Sequence, residues 1–289
     1  THIIRTSYNV SATNGRIFAG WRIWQTIKNV QEFDSLVDQE IRGEDFLWYT
    51  QVCFNDICSL MVSKPNCRGY YVIEDGSGSY RKENKPTFTG IKGLIYHFLL
   101  KPLFPRLFIV KNHMIETEHH KFKGCIASND MCFPLHKQYT RVIGIPFVPV
   151  PLAKVPDAII SIDPLFLWIS QEDAECLFQR LAAFVNNKGY KYIVYKHHPY
   201  NLSSAHINAH RQYNEWIKHY FTANLQELDS QVSLENTIMA HQCDFYTAVS
   251  SVAIYAKAMG VVCYSYMPII REYAQVPIHI VEELCIPVK

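Results

Sequence analysis

The chain has 289 residues, 48% of them hydrophobic and 19% charged, so it folds as a globule of one large or two ordinary domains, and the disordered class is excluded. Its 28 basic and 26 acidic residues leave a net charge of +2, which gives no reason to expect a nucleic-acid partner. No apolar run reaches bilayer-spanning length and no signal peptide opens the chain; the nine cysteines, odd in number and without a Cys-x-x-Cys pair, read as reduced thiols, so the expected location is cytoplasmic.

His2–Arg5 reads as a short strand and the residues up to Gly15 as a polar loop. The chain opens at Thr1 without Met, so an N-terminus that is cut back, or a small N-terminal domain, is expected. Ile17, Trp21, Trp24 and Ile27 fall at three- and four-residue steps and predict a helix from Ile17 to Val30. Phe46–Thr50 reads as a strand and Phe54–Val62 as a helix. Tyr70, Tyr71, Val72 and Ile73 are the aromatic and β-branched types of a buried strand. They run straight into Glu74-Asp75-Gly76, and the Gly/Ser run that follows cannot continue a strand. A pair of carboxylates is thereby delivered to a strand's carboxyl end. That edge is where an α/β sheet binds its ligands, and a carboxylate there can take a proton from an attacking hydroxyl. Taken alone, Glu-Asp-Gly reads first as an acidic turn that closes a strand. Leu94–Leu107, with Lys101 and Arg106 among its apolar residues, reads as a buried helix ended by proline. The sharper reading is a surface that lies against a membrane or a lipid-linked acceptor. Phe108–Lys111 and Gly124–Ala127 read as strands.

Pro146, Pro149, Pro151 and Pro156 mark the stretch from Ile145 to Pro156 as an extended linker between domains, drawn at 1–150 and 151–289. The alternation then restarts. Ala158–Ile162 is a strand. Ser170, with Asp173 three residues on, caps a helix whose apolar face is Leu177, Phe178, Leu181, Phe184 and Val185 and which Gly189 ends. Tyr192–Tyr195 is a strand that empties into Lys196-His197-His198-Pro199. Ser233 caps a helix that opens Leu234-Glu235-Asn236. Phe245–Val249 is a strand, Ser250-Ser251 caps a helix that stops at Gly260, and Val261–Tyr266 is a strand. Strands alternating with helices imply a parallel sheet with crossover helices; the first half follows the same pattern less cleanly, so the fold class is α/β with two Rossmann-like domains.

Ser250 and Ser251 place two hydroxyls at a helix N-terminus after a strand, a setting that favours an anion, although a serine there often only caps. Proline forces His198 out of helical backbone and so presents it at a strand's carboxyl end, where it can hydrogen-bond a phosphate; in isolation it is simply a turn histidine. Lys196 should share its side and His197 should face the other way and pack. Glu235 can reach a ribose or base, yet an acidic residue in a first helical turn needs no such role. His113, His119 and His120 lack clean metal spacing, and there is neither an Asp-x-Asp pair nor a Gly-x-x-x-x-Gly-Lys-Ser/Thr loop.

Glu-Asp-Gly at Glu74–Gly76, Lys-x-His-Pro at Lys196–Pro199 and the serines Ser250-Ser251, in that order and each beside a strand, resemble the motifs of the bacterial sialyltransferases of glycosyltransferase families 52, 80 and 38. The likeness covers Tyr70 to Gly260. It implies a GT-B fold, with two Rossmann-like domains facing a central cleft, CMP-sialic acid on the second and the acceptor glycan on the first. By the same likeness Asp75 is the general base and His198 binds the leaving phosphate. Ser250, Ser251, Lys196, Glu235 and Gly76 fall to the donor side, and Glu74 bonds within its loop. The implied reaction is a single inverting displacement without metal or cofactor. Its acceptor is a galactose- or sialic acid-terminated glycan, and peripheral membrane association through a lipid-linked acceptor is compatible with it. A CMP-Kdo transferase shares the acidic-Gly and His-Pro motifs and is the nearest rival. Two more distant rivals are a metal hydrolase built on His197, His198 and the His119/His120 pair, and a nucleotide- or sugar-binding protein without catalysis.

Overall fold

The computed structural model describes residues 20–51, 56–80, 115–276 and 280–288. The chain divides into two units, the first comprising Thr1–Asp75 and Ser79–Gly144, the second Gly76–Gly78 and Ile145–Lys289. Both are α/β, and every strand pairing among the described residues is parallel.

In the first unit, β1 (Phe46–Thr50), β2 (Cys67–Ile73), β3 (Phe122–Ala127) and β4 (Thr140–Val142) lie side by side in chain order. The helix expected to end at Val30 is α1 (Gly20–Ile41) and continues for several further turns. Phe33 and Val37, one turn apart, are both buried and prolong the apolar stripe. Asp34 and Asp38, also one turn apart, both accept from the Lys64 ammonium just after α2 (Asp56–Ser63). Burial alone would lower the Lys64 pKa, but the two carboxylates hold it above its ordinary value. Arg42 (φ 50°) and Gly43 (φ 77°) then turn left-handed and end α1. The strand expected at His2–Arg5, the start of α1 at Ile17, Phe54 and the whole of Leu94–Lys111 lie outside the described residues.

The second unit is organised around β5 (Ala158–Ile162), in which all five residues are buried. The other strands are β6 (Tyr192–His197), β7 (Asn224–Glu227), β8 (Asp244–Thr247), β9 (Cys263–Ser265) and β10 (Ile286–Pro287), in spatial order β10-β9-β8-β5-β6-β7. Numbered within the unit, that order is 3-2-1-4-5-6 read from β7, the dinucleotide-fold arrangement, and it reverses between β5 and β8. Ala158, Ile160, Ile162, Ile193 and Tyr195 share one core cluster with α3 (Gln171–Asn186) and α4 (Ile207–Tyr220). Strand alternation leaves Ile159, Val194 and Phe245, all fully buried, for the opposite face.

The start of α3 forms as expected: Ser170 Oγ accepts the Asp173 N–H at 3.1 Å and donates to the Asp173 carboxylate at 2.7 Å. Ser233 caps α5 (Leu234–His241) in the same way, accepting from Asn236 N at 3.2 Å. The proline stretch has no helix or strand, but it is pinned. Val150 N–H donates to Asn236 O at 3.1 Å and Leu152 N–H to His241 Nε2 at 2.7 Å, which lays it along α5. The helix α4, the edge strand β7, α7 (Met267–Tyr273), α8 (Ile280–Leu284) and β10 are elements that sequence reading missed, and β6 runs past Tyr195 to His197. The helix after β8, α6 (Val252–Ala258), is short. No described helix is long and apolar enough to cross a membrane.

Candidate functional site

Strand order reverses between β5 and β8, and an open α/β sheet binds its ligands outside the carboxyl ends of its strands at such a point. Asp163 follows β5 there and is 2% exposed. Its Oδ2 accepts from Ala248 N–H at 2.9 Å and from Thr247 Oγ1 at 3.1 Å, both at the end of β8. The Tyr266 hydroxyl, at the end of β9, lies 3.0 Å from the same oxygen and 2.7 Å from Ser161 O, and has one proton to give to one or the other. One buried carboxylate therefore ties three strand ends together. Burial raises its pKa; the bonds from Ala248, Thr247 and Tyr266 and the nearby His198 act in the opposite sense. Sequence reading missed Asp163. Its signal was a carboxylate set directly after the apolar run Ala158–Ile162.

His198 follows β6, on the other side of β5. Its N–H donates to Ile162 O at 2.9 Å, extending the ladder by one rung, and its ring is exposed. Nδ1 accepts from Tyr200 N–H at 3.2 Å, so a neutral ring carries its proton on Nε2. With Nδ1 engaged in this way, the ring has its Nε2–H to offer as a donor. His197 packs as expected, 2% exposed.

Lys196 does not extend freely beside His198. Its ammonium donates to Ser230 O at 3.1 Å and to Val232 O, which fixes the loop after β7. Burial lowers its pKa, opposed by the charges of Glu235 and Asp229. Glu235 is drawn into the cap of α5, accepting from Ser233 Oγ at 2.7 Å. At the end of β8, Ser250 N–H donates to Thr247 Oγ1 at 2.9 Å, and Ser250 Oγ accepts from Val252 N–H at 3.3 Å. Ser250 therefore does the side-chain capping. Ser251 has helical backbone (φ −58°, ψ −19°) and makes no side-chain cap bond, so among the described residues its hydroxyl keeps its hydrogen-bonding capacity. Gly76, which groups with this unit, has φ +47°, and a Cβ there would lie 3.2 Å from Ser251 Oγ. Backbone conformation and close approach both call for glycine.

In the first unit the acidic loop leaves β2 as expected. Glu74 accepts from Ser128 N–H at 2.6 Å and from the Tyr80 hydroxyl, so it clamps the loop to the end of β3. Burial, then Glu74, raises the Tyr80 pKa. Asp75 is exposed, and its N–H donates to Ser79 Oγ at 2.7 Å. Of the residues singled out from sequence, His198, Lys196, Glu235, Ser250, Ser251 and Gly76 fall in the second unit, and Asp75 and Glu74 in the first. His119 and His120 belong to the first unit, His197 and His198 to the second.

No protein-family model and no curated protein matches the chain. Among solved structures it is similar to HepE of Anabaena in complex with UDP, with TM-score 0.38 and 11% identity over 81% of this chain and 63% of that one. It is also similar to a glycosyltransferase from Rickettsia africae, with TM-score 0.37 and 12% identity over 88% of this chain and 64% of that one. The chain thus spans less than two thirds of each, and scores this low carry no argument about shared activity.

Proposed function

We propose that the chain is a glycosyltransferase that moves sialic acid from CMP-sialic acid to a hydroxyl of a galactose- or sialic acid-terminated glycan. The observation that carries this reading is the reversal of strand order between β5 and β8, flanked by the His198 imidazole and the uncommitted Ser251 hydroxyl. The leaving group of such a donor is a phosphate monoester, already anionic at neutral pH. Its departure is helped by preorganised donors that need no reorganisation as charge develops. His198 Nε2–H and the Ser251 hydroxyl are such donors; Asp163 holds the end of β8, which leads to Ser251, and the bond from His198 N–H to Ile162 O holds His198 to β5. Ser250 and Lys196 act one step back, as cap and as loop anchor, and Glu235 shapes the cap of α5.

In this reading Asp75 is the general base for the acceptor hydroxyl, which is a weak nucleophile on its own. Glu74 holds the loop so that Asp75 stays exposed. The reading requires a GT-B arrangement in which the acceptor on the first unit meets the donor on the second across a cleft. The acceptor is a glycan, carried on a lipid where the enzyme works at a membrane. Calorimetric titration with CMP and with UDP, followed by turnover assays with CMP-sialic acid and CMP-Kdo, tests it. CMP should bind in preference to UDP, and His198→Ala should weaken CMP binding about tenfold or more, the scale of a lost charge-assisted hydrogen bond. Failure of CMP to bind, or binding untouched by His198→Ala, overturns the reading. Turnover of CMP-Kdo alone transfers it to the rival donor.

A further inference from the structure

The second unit holds a cluster that the transfer reaction does not use. His197 ends β6, Glu227 ends β7 and His210 lies on α4 between them. One ring nitrogen from each histidine and one Glu227 oxygen lie within 4.8 Å of one another. His210 Nε2 is 3.1 Å from Glu227 Oε1, and Asn214 Nδ2 donates to Glu227 Oε2 at 3.2 Å. Without a metal, a protonated Nε2 and the Asn214 amide share the carboxylate, one on each oxygen, while Asn214 Oδ1 lies 2.9 Å from His197 Nε2.

Asn201 is fully buried against His197, its Nδ2 3.5 Å from His197 Nδ1. A cavity of about 410 Å³ is lined by His197, Glu227, Leu202, Leu228, Asp229 and Ser230, so two members of the cluster face open space.

We propose that His197, His210 and Glu227 bind a divalent transition-metal ion of the zinc class. Two imidazoles and a carboxylate suit zinc or cobalt, whereas magnesium prefers an all-oxygen shell. With the ion bound, a bare His210 Nε2 and Glu227 Oε1 both face a positive centre, and Asn214 goes on donating to Glu227 Oε2. Three protein ligands beside a cavity leave a coordination position open, the pattern of an exchangeable rather than a sealed site. Asn214 is the outer partner that orients Glu227. This inference is independent of the transferase reading and is read by metal binding alone.

The test is a titration of chelator-treated, dialysed protein with Co²⁺, followed by visible absorption and then by displacement with Zn²⁺. One Co²⁺ should bind with the intense bands of four- or five-coordinate cobalt, Zn²⁺ should erase them, and Mg²⁺ should not. Glu227→Gln and His210→Ala should each weaken binding about tenfold or more, and His119→Ala should leave it unchanged. Glu227→Gln preserves shape and the bond from Asn214, so it keeps the test open if His210→Ala fails to fold. Absence of the cobalt bands in the wild-type protein, or bands undiminished in folded Glu227→Gln, overturns the proposal.

Discussion

The two sheets end their strands in comparable ways but offer different surfaces. In the first unit the four described strands follow chain order and contain no reversal. In the second, the order turns back at β5, the kind of point at which an open α/β sheet takes its ligands. Each sheet uses a carboxylate just past a strand as a cross-tie. Glu74 joins the ends of β2 and β3, and Asp163 joins the ends of β5, β8 and β9. In each, a neighbouring reactive side chain is left exposed, Asp75 in one and His198 in the other. The comparison teaches that the carboxylate most visible in a motif and the one that organises a site are different residues.

The largest effect should come from separating those roles. Asp75→Ala should reduce turnover about 10²–10⁴-fold while the melting temperature stays put, as expected of a base whose carboxylate bonds to no described residue. A matching drop in stability would place Asp75 among the ties. Asp163→Ala should act the other way and cost about 3 kcal/mol or more in urea unfolding, because it strands buried donors of Thr247 and Ala248 and removes an acceptor beside Tyr266. Glu74→Ala, with two donors in a less enclosed place, should cost about 2 kcal/mol. If Glu74→Ala proves the costlier, the two ties are not equivalent in kind.

The smallest effect is one of acidity, confined to the first unit. Burial, with His120 and Lys121 adding to it, lowers the His119 pKa from 6.5 to about 4. Its Nδ1 accepts from Lys121 N–H at 3.2 Å, which only the neutral ring can do. Between those values the unfolded chain binds the extra proton, so stability is fully present above pH 6.5 and falls as pH drops toward 4. Melting curves of His119→Gln against wild type across that range should show a flatter dependence for the variant. An unchanged slope assigns the acid sensitivity elsewhere.

Much of the second unit was legible because burial left its mark on composition. The apolar runs at Ala158–Ile162 and Phe245–Thr247, the cap Ser170 and the stop at Gly189 are local signals with local causes. The helix α4 was not, since its buried face is Tyr213, Trp216 and Ile217 interrupted by His210 and Asn214, a stripe that periodicity alone does not resolve. The strand β7 reads Asn-Leu-Gln-Glu and lies at the sheet edge, where polar residues carry no strand pattern. The motif residues were visible because glycine and proline end strands abruptly. The roles of Asp163, Asn201 and Tyr266 were not, because they depend on which strands become neighbours, and no residue spacing records that order.

The bond from Ala248 to Asp163 also sets a clock. An amide enclosed with its acceptor in a site without solvent exchanges its hydrogen for deuterium only when the surrounding structure opens. Ala248 N–H, fully buried at 2.9 Å from its carboxylate, should therefore be among the last to exchange and should report the opening of the whole second sheet. Ser128 N–H, held by Glu74 at the edge of a loop, should exchange earlier, through a smaller and more frequent opening.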